Sequence, residues 1–266
     1  MKDGNFNFDN GFDKNNIKKM IEDAKNVAKG LGGFKAFKSG EFLLSLIQKS
    51  FKNYWENANA EYFGNKYKTN DEEFLSNKLI SVASKNAAIL GGIVGATISI
   101  DESAAILETL AIPISGGLST LPLPAEAAIV LGALTGEVVL MVGTQLHLVA
   151  NIAKIYGVPL NPDDPEDILI ILAYAFGGAL AEEAGKYGMK IGGMAMSSVT
   201  RKVLSKDIVQ KIAIKLGVKI IEEDVLRYAV PFASILIGST WNAFTIKRIG
   251  KIAKQHFSEL KRKIIE

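Results

Sequence analysis

The sequence predicts an all-α protein, a multi-helix bundle with long buried Gly/Ala-rich helices. Three observations carry this. Apolar residues recur at helical spacing in most segments, and glycines and prolines fall between those segments as stops and starts. No stretch of useful length alternates apolar with polar residues as a half-buried strand would.

The first 16 residues are polar, and no apolar run follows a basic start, so no signal peptide is expected. "NNIKKMIEDAKNVAKGLGG" sets Ile17, Met20, Ile21, Ala24, Val27, Ala28 and Leu31 at helical spacing, with its glycines as the stop. "EFLLSLIQKSFKNYWENA" predicts a second amphipathic helix, with Phe42, Leu46, Ile47, Phe51 and Tyr54 or Trp55 inward. "AEYFGNKYKTN" reads as a loop. Asn70 before Asp71, Glu72 and Glu73 reads as an N-cap followed by acids at the positive helix end.

The helix that follows grows oilier towards "NAAILGGIVGATISI". "AIPISGGLSTLPLP" must break it, and Pro124 suits the first turn of the next helix, about 124–156, which ends at Gly157. In "PLNPDDPEDIL", Asp164 can cap, Pro165 can open a helix and Asp167 adds charge to its first turn. Further helices are expected at about 165–200, 205–216 and 222–264, the last kinked at Pro231. Residues 1–70 form an N-terminal helical segment packing on or extending the bundle, and 71–266 form the main helical domain.

The 266 residues are 48% hydrophobic, enough for a sizeable core. The absence of cysteine removes disulfides, thiolate nucleophiles and Cys-ligated metals, and agrees with a reducing cytoplasm. The uncharged runs 87–100 and 168–181 are shorter than the roughly 20 residues a span requires, and 228–246 contains Pro231. Buried bundle helices fit these runs best. A membrane-dipping hairpin over 87–150 is the alternative, because two oily helices flank a Pro/Gly turn there.

Charge is unevenly placed. Residues 86–181 hold one Lys (Lys154) against nine acids, whereas 182–266 hold 16 Lys/Arg against 8 acids. Basic charge beside apolar surface suits an anionic membrane better than it suits nucleic acid. Lys202, Lys206, Lys211, Lys215 and Lys219 recur beside Ile208, Ile212 and Leu216, as in a basic amphipathic helix that lies on a membrane or a partner. Lys202, Lys211, Lys215 and Arg248 are the membrane-contact candidates. A solvated bundle face would show the same pattern.

"EVVLMVGTQLHLVANIAKIYG" places polar residues in an oily helix. At about 100° per residue, Glu137, Thr144, His147, Asn151 and Lys154 share one stripe, while Gln145 faces elsewhere. These five are the candidate binding residues, and internal hydrogen bonding is their expected role. The stripe lacks the Glu-x-x-His pairs of a two-metal bundle, and His256 lies in a basic tail, so no metal is expected. Glu182 and Glu183 are helix neighbours that point about 100° apart, poorly placed to share one site. The small-x-x-x-small pairs Gly91/Gly95, Gly132/Gly136 and Gly188/Gly192 suit close helix packing. No phosphate loop, nucleophile elbow, zinc-protease helix or nucleic-acid signature is present.

Three places give the chain its resemblance to a known family. A helix ends in Ile152, Ala153, Tyr156 and Gly157 before the polar 161–166 turn. Glu137 stands some 20 positions ahead of that Tyr-Gly. Pro231, Gly238, Asn242, Thr245, Arg248, Gly250, Ala253 and Phe257 form a closing pattern. In order and spacing these resemble the EcsC family of bacterial helical proteins, over roughly residues 80–260. The resemblance implies an all-α fold and a loose link to membranes or transport, and it brings no catalytic residues.

The expected function is therefore that of a non-enzymatic helical binding protein, cytoplasmic and peripheral to the inner face of the membrane. Its partner is an anionic membrane surface, a lipid or a membrane protein, with no nucleic acid and no cofactor. One alternative is an enzyme using Glu137 and His147 as an acid–base stripe in a bundle cavity. Another is a structural module that forms homo-oligomers.

Overall fold

A computed structural model describes residues 39–97, 125–177, 179–186, 190–191, 206–228 and 234–266. Among them the chain is all-helical, with eight packed helices and no strand. They are α1 (Phe42–Asn57), α2 (Ala60–Tyr67), α3 (Glu72–Thr97), α4 (Ala125–Ile155), α5 (Glu166–Phe176), α6 (Ala179–Lys186), α7 (Lys206–Tyr228) and α8 (Ser234–Ile265). The helix expected over residues 17–31 lies outside the described residues, as does most of the turn between α3 and α4.

The first described helix forms where its apolar spacing places it. Phe42, Leu46, Ile47 and Phe51 are buried, and Tyr54 and Trp55 are partly buried against the core. The segment expected as a loop is instead α2. Asn59 caps it by accepting the Tyr62 N–H at 2.9 Å, and Lys68 closes it in the left-handed conformation at φ 53°. A cap at one end and a left-handed residue at the other hold eight residues helical despite Gly64 and Asn65 within.

The cap of α3 is Asp71 and not Asn70. Its Oδ1 accepts the Phe74 N–H at 2.9 Å, one residue later than the sequence suggests. The end of α4 is as expected. Gly157, at φ 66°, donates to the Lys154 carbonyl at 3.1 Å while Val158 donates to the Ala153 carbonyl at 3.0 Å, a Schellman closure that favours glycine. Asp164 Oδ1 then accepts the Glu166 N–H at 3.0 Å ahead of α5.

Later boundaries differ from expectation. The helix opening at residue 166 stops at Phe176, because Gly177 takes φ 67°. A single helix, α7, runs through residues 217–221, where a break was expected. Gly217 does not stop it, because that glycine serves packing. A Cβ on Gly217 would strike the carbonyl oxygen of Gly40 and come within 2.9 Å of its Cα. Pro231 lies outside the described residues, between the end of α7 and the start of α8.

Two layers position the rest. Helices α3 and α8 run antiparallel at close range: a Cβ on Gly250 would sit 2.5 Å from Ile80 Cγ1. Lys254 reaches Glu73 and Asn77, both at 3.0 Å, and Lys261 pairs with Glu72. Beneath them lie α4 and α5, whose residues from Val138 to Ile155 and from Glu166 to Ala173 are almost all buried. One described helix is long and apolar enough to cross a membrane, at Val138–Ile155, and most of it is core. A helix apolar nearly all round is buried by its neighbours, and here α1, α3 and α8 cover it.

Candidate functional site

Of the polar stripe on α4, His147, Asn151 and Lys154 face α1 and the link to α2. Thr144 is buried and donates its hydroxyl to the Leu140 carbonyl at 2.8 Å, one turn back on its own helix. Asn151 is buried too: Nδ2 donates to the His147 carbonyl at 2.9 Å. Its Oδ1 accepts the Asn59 N–H at 3.2 Å, 92 residues away in sequence. The Lys154 ammonium lies 4.0 Å from the centroid of the Trp55 ring, a cation–π contact. Glu137 belongs to α4 by its backbone, and its side chain lies outside the described residues.

His147 packs its ring against Tyr54, with centroids 5.7 Å apart. Burial pushes the imidazole down to about 4 and the phenol up to about 12. Both shifts favour the neutral form, so near neutral pH this is contact between an uncharged imidazole and an uncharged phenol. Thr144, Asn151 and Lys154 thus direct polar groups to this chain's own backbone or aromatic ring. Chemically the arrangement docks α4 onto α1 and caps the start of α2. Gln145, off the stripe, is buried, and its Oε1 has no hydrogen-bond partner among the described residues.

Sequence reasoning missed a second buried polar contact. His256 is completely buried on α8, and its Nε2 lies 3.3 Å from Asp167 Oδ1 in the first turn of α5. Glu166 beside it is also buried. The basic residues of 247–263 hide this histidine in a composition reading. The helical period would have found it: Ile249, Ala253, Phe257 and Leu260 are buried, and His256 belongs to that same face. Among the described residues no three His, Cys, Asp or Glu side chains cluster as a metal set.

The membrane-contact candidates are spread over two helices. Lys211 and Lys215 are exposed one turn apart on α7, with Ile212 and Leu216 buried on its other side. Arg248 is exposed on α8, its guanidinium beside Gly177 at the end of α5. Lys202 lies outside the described residues. On α8 the exposed side around Arg248 also carries Lys247 and Lys251, with Phe244 54% exposed and in ring contact with Trp241. From Ser234 to Ser258 the sequence has no Asp or Glu.

Comparison with known proteins returns no match to this chain among family models, curated proteins or solved structures.

Proposed function

We propose that this chain is a non-enzymatic helical binding protein that attaches peripherally to an anionic membrane surface. One observation carries the reading. The exposed side of α8 sets Lys247, Arg248 and Lys251 beside an exposed Phe244, with no acid in that part of the helix. Cations at about a Debye length or less from anionic headgroups each contribute about 1 kcal/mol, and an exposed aromatic adds apolar contact at the interface. The exposed Lys211 and Lys215 of α7 add to the same attraction.

On the stripe of α4, His147, Asn151 and Lys154 contact α1 and the link before α2, a packing role in keeping with a non-enzymatic protein. Membership of the EcsC family, a cytoplasmic location and contact with the inner leaflet belong to the same proposal.

The test is sedimentation of the full chain with phosphatidylserine–phosphatidylcholine vesicles and with phosphatidylcholine alone. Binding should require the anionic lipid, fall steeply as salt is raised, and weaken in a Lys247→Gln/Arg248→Gln variant. Equal binding to both vesicle types, or none to either, would remove the proposal.

A further inference from the structure

Resting on that reading, we infer that the docking face is shared by α3 and α8, with Ile89 and Phe244 as the side chains that enter the lipid. The two helices lie side by side, joined at Gly250–Ile80 and Lys254–Asn77. Each buries one edge in the same core: Leu75, Leu79 and Ala83 on α3, Ile249, Ala253 and Phe257 on α8. Neighbouring helices that bury the same side expose the same side. Their outward faces therefore make one surface.

That surface is basic and unusually apolar. On α3 it shows Phe74 (48% exposed), Lys78, Lys85 and Ile89 (46% exposed), and from Phe74 to Thr97 the sequence has no acid. On α8 it shows Phe244, Lys247 and Lys251, while the Arg248 guanidinium turns to Gly177 at the end of α5. Glu73 at its margin is joined to Lys254 at 3.0 Å. Lys78 and Ile89 are separated by 11 helical residues, about 16 Å at 1.5 Å per residue, so the footprint is long and both helices would lie in the membrane plane. Phe74 stands at the acidic end of this surface, after Asp71, Glu72 and Glu73, whereas Ile89 and Phe244 are exposed on acid-free stretches among cations and match an anionic bilayer. Aliphatic Ile89 gains from acyl chains, while the lysine stems lie along the interface and their ammonium groups reach phosphate. A nucleic-acid surface would offer Ile89 no such contact.

The absence of native cysteine makes the test clean. Ile89→Cys, Phe244→Cys and, as a control at an exposed position of α1, Gln48→Cys are each labelled with an environment-sensitive fluorophore. Emission at 89 and 244 should rise and shift to the blue with phosphatidylserine-containing vesicles, while the label at 48 stays unchanged. Independently, Lys85→Gln with Lys251→Gln should weaken vesicle binding by about five-fold per cation, roughly 25-fold in all, with an unchanged helical spectrum.

If the wild-type chain ignores anionic vesicles, the membrane reading itself falls. If it binds them while the label at 89 stays silent, this face is wrong and the membrane reading survives. A blue shift at 89 that grows with protein concentration and needs no lipid would show a protein partner on this face and overturn the inference.

Discussion

Adding one methyl group at Gly217 should destabilise the protein, although the same change in most helices stabilises it. In a helix interior alanine is favoured over glycine by about 1 kcal/mol. Gly217, however, crosses Gly40, and its new Cβ would press on that residue's carbonyl oxygen, 2.9 Å from its Cα and 3.0 Å from its carbonyl carbon. Overpacking costs about 1–3 kcal/mol where side chains can yield. Here the obstacle is backbone, fixed because Gly40 holds φ 77° against the Ile214 carbonyl and the Val218 N–H, so the upper end applies. The net loss is about 2 kcal/mol, or a fall of roughly 4–8 °C in Tm for a chain of this size. Gly185 on α6 is the control, since a Cβ there meets nothing within 4 Å among the described residues. Gly185→Ala should raise Tm by roughly 2–4 °C. Both variants are read by thermal unfolding, followed in parallel by far-ultraviolet circular dichroism and by tryptophan fluorescence. If Gly217→Ala is stabilised as much as Gly185→Ala, the α7 crossing over Gly40 is not as close as described.

Other changes separate the remaining contacts. Asp71→Ala should cost about 1 kcal/mol in urea unfolding, while Asn70→Ala should cost much less, because Asp71 accepts the capping N–H. His147 has a folded pKa of about 4 against about 6.5 unfolded, so its contribution is complete above pH 6.5 and is lost as pH falls towards 4. His147→Phe should therefore flatten the unfolding midpoint against pH in that window, by up to about 3 kcal/mol across it; a slope equal to wild type would refute the burial argument. His256→Ala should cost about 1–3 kcal/mol by removing one hydrogen-bond partner of the buried Asp167, and a cycle with Asp167→Leu should show clear coupling between the two.

The parts legible in the sequence were those fixed within a few residues. Gly157 after "IAKIY", Asp164 before Pro165 and the apolar stripe of 42–54 each act through local geometry, and the observed elements follow them. Helix α2 was missed because Gly64 and Asn65 lower its intrinsic propensity, while its cap residue Asn59 is itself held from 92 residues away by Asn151. The break expected over 217–221 is absent because Gly217 lets another backbone approach, and such a glycine looks like a helix end until the partner is known. The stripe on α4 was legible as a stripe. What it faces was not, since Tyr54, Trp55 and Asn59 reach it only through the tertiary fold. His256 was obscured by charge counting, which averages over a helix whose two faces have opposite character.

The same contacts explain why the basic surface survives folding. An oily bundle has many nearly equivalent ways to slide one helix along another, and apolar contact alone discriminates weakly among them. Here Gly250 fits over Ile80, and Asp167 meets His256, so α8 is fixed both to α3 and to α5. In that register Glu72 and Glu73, favourably placed at the positive end of α3, meet Lys261 and Lys254 in the second half of α8. These pairs are partly or largely exposed and contribute at most about 1 kcal/mol each to stability. Their larger effect is on where charge is left over. They use the acids of α3 at one end of the layer and leave Lys247 and Lys251 beside an acid-free stretch of α3. A slip of one turn would bring Lys251 opposite Glu73 and neutralise part of the face. Register in the core thus sets the electrostatics of the surface, and changes at Gly250 should alter vesicle binding without touching any exposed charge.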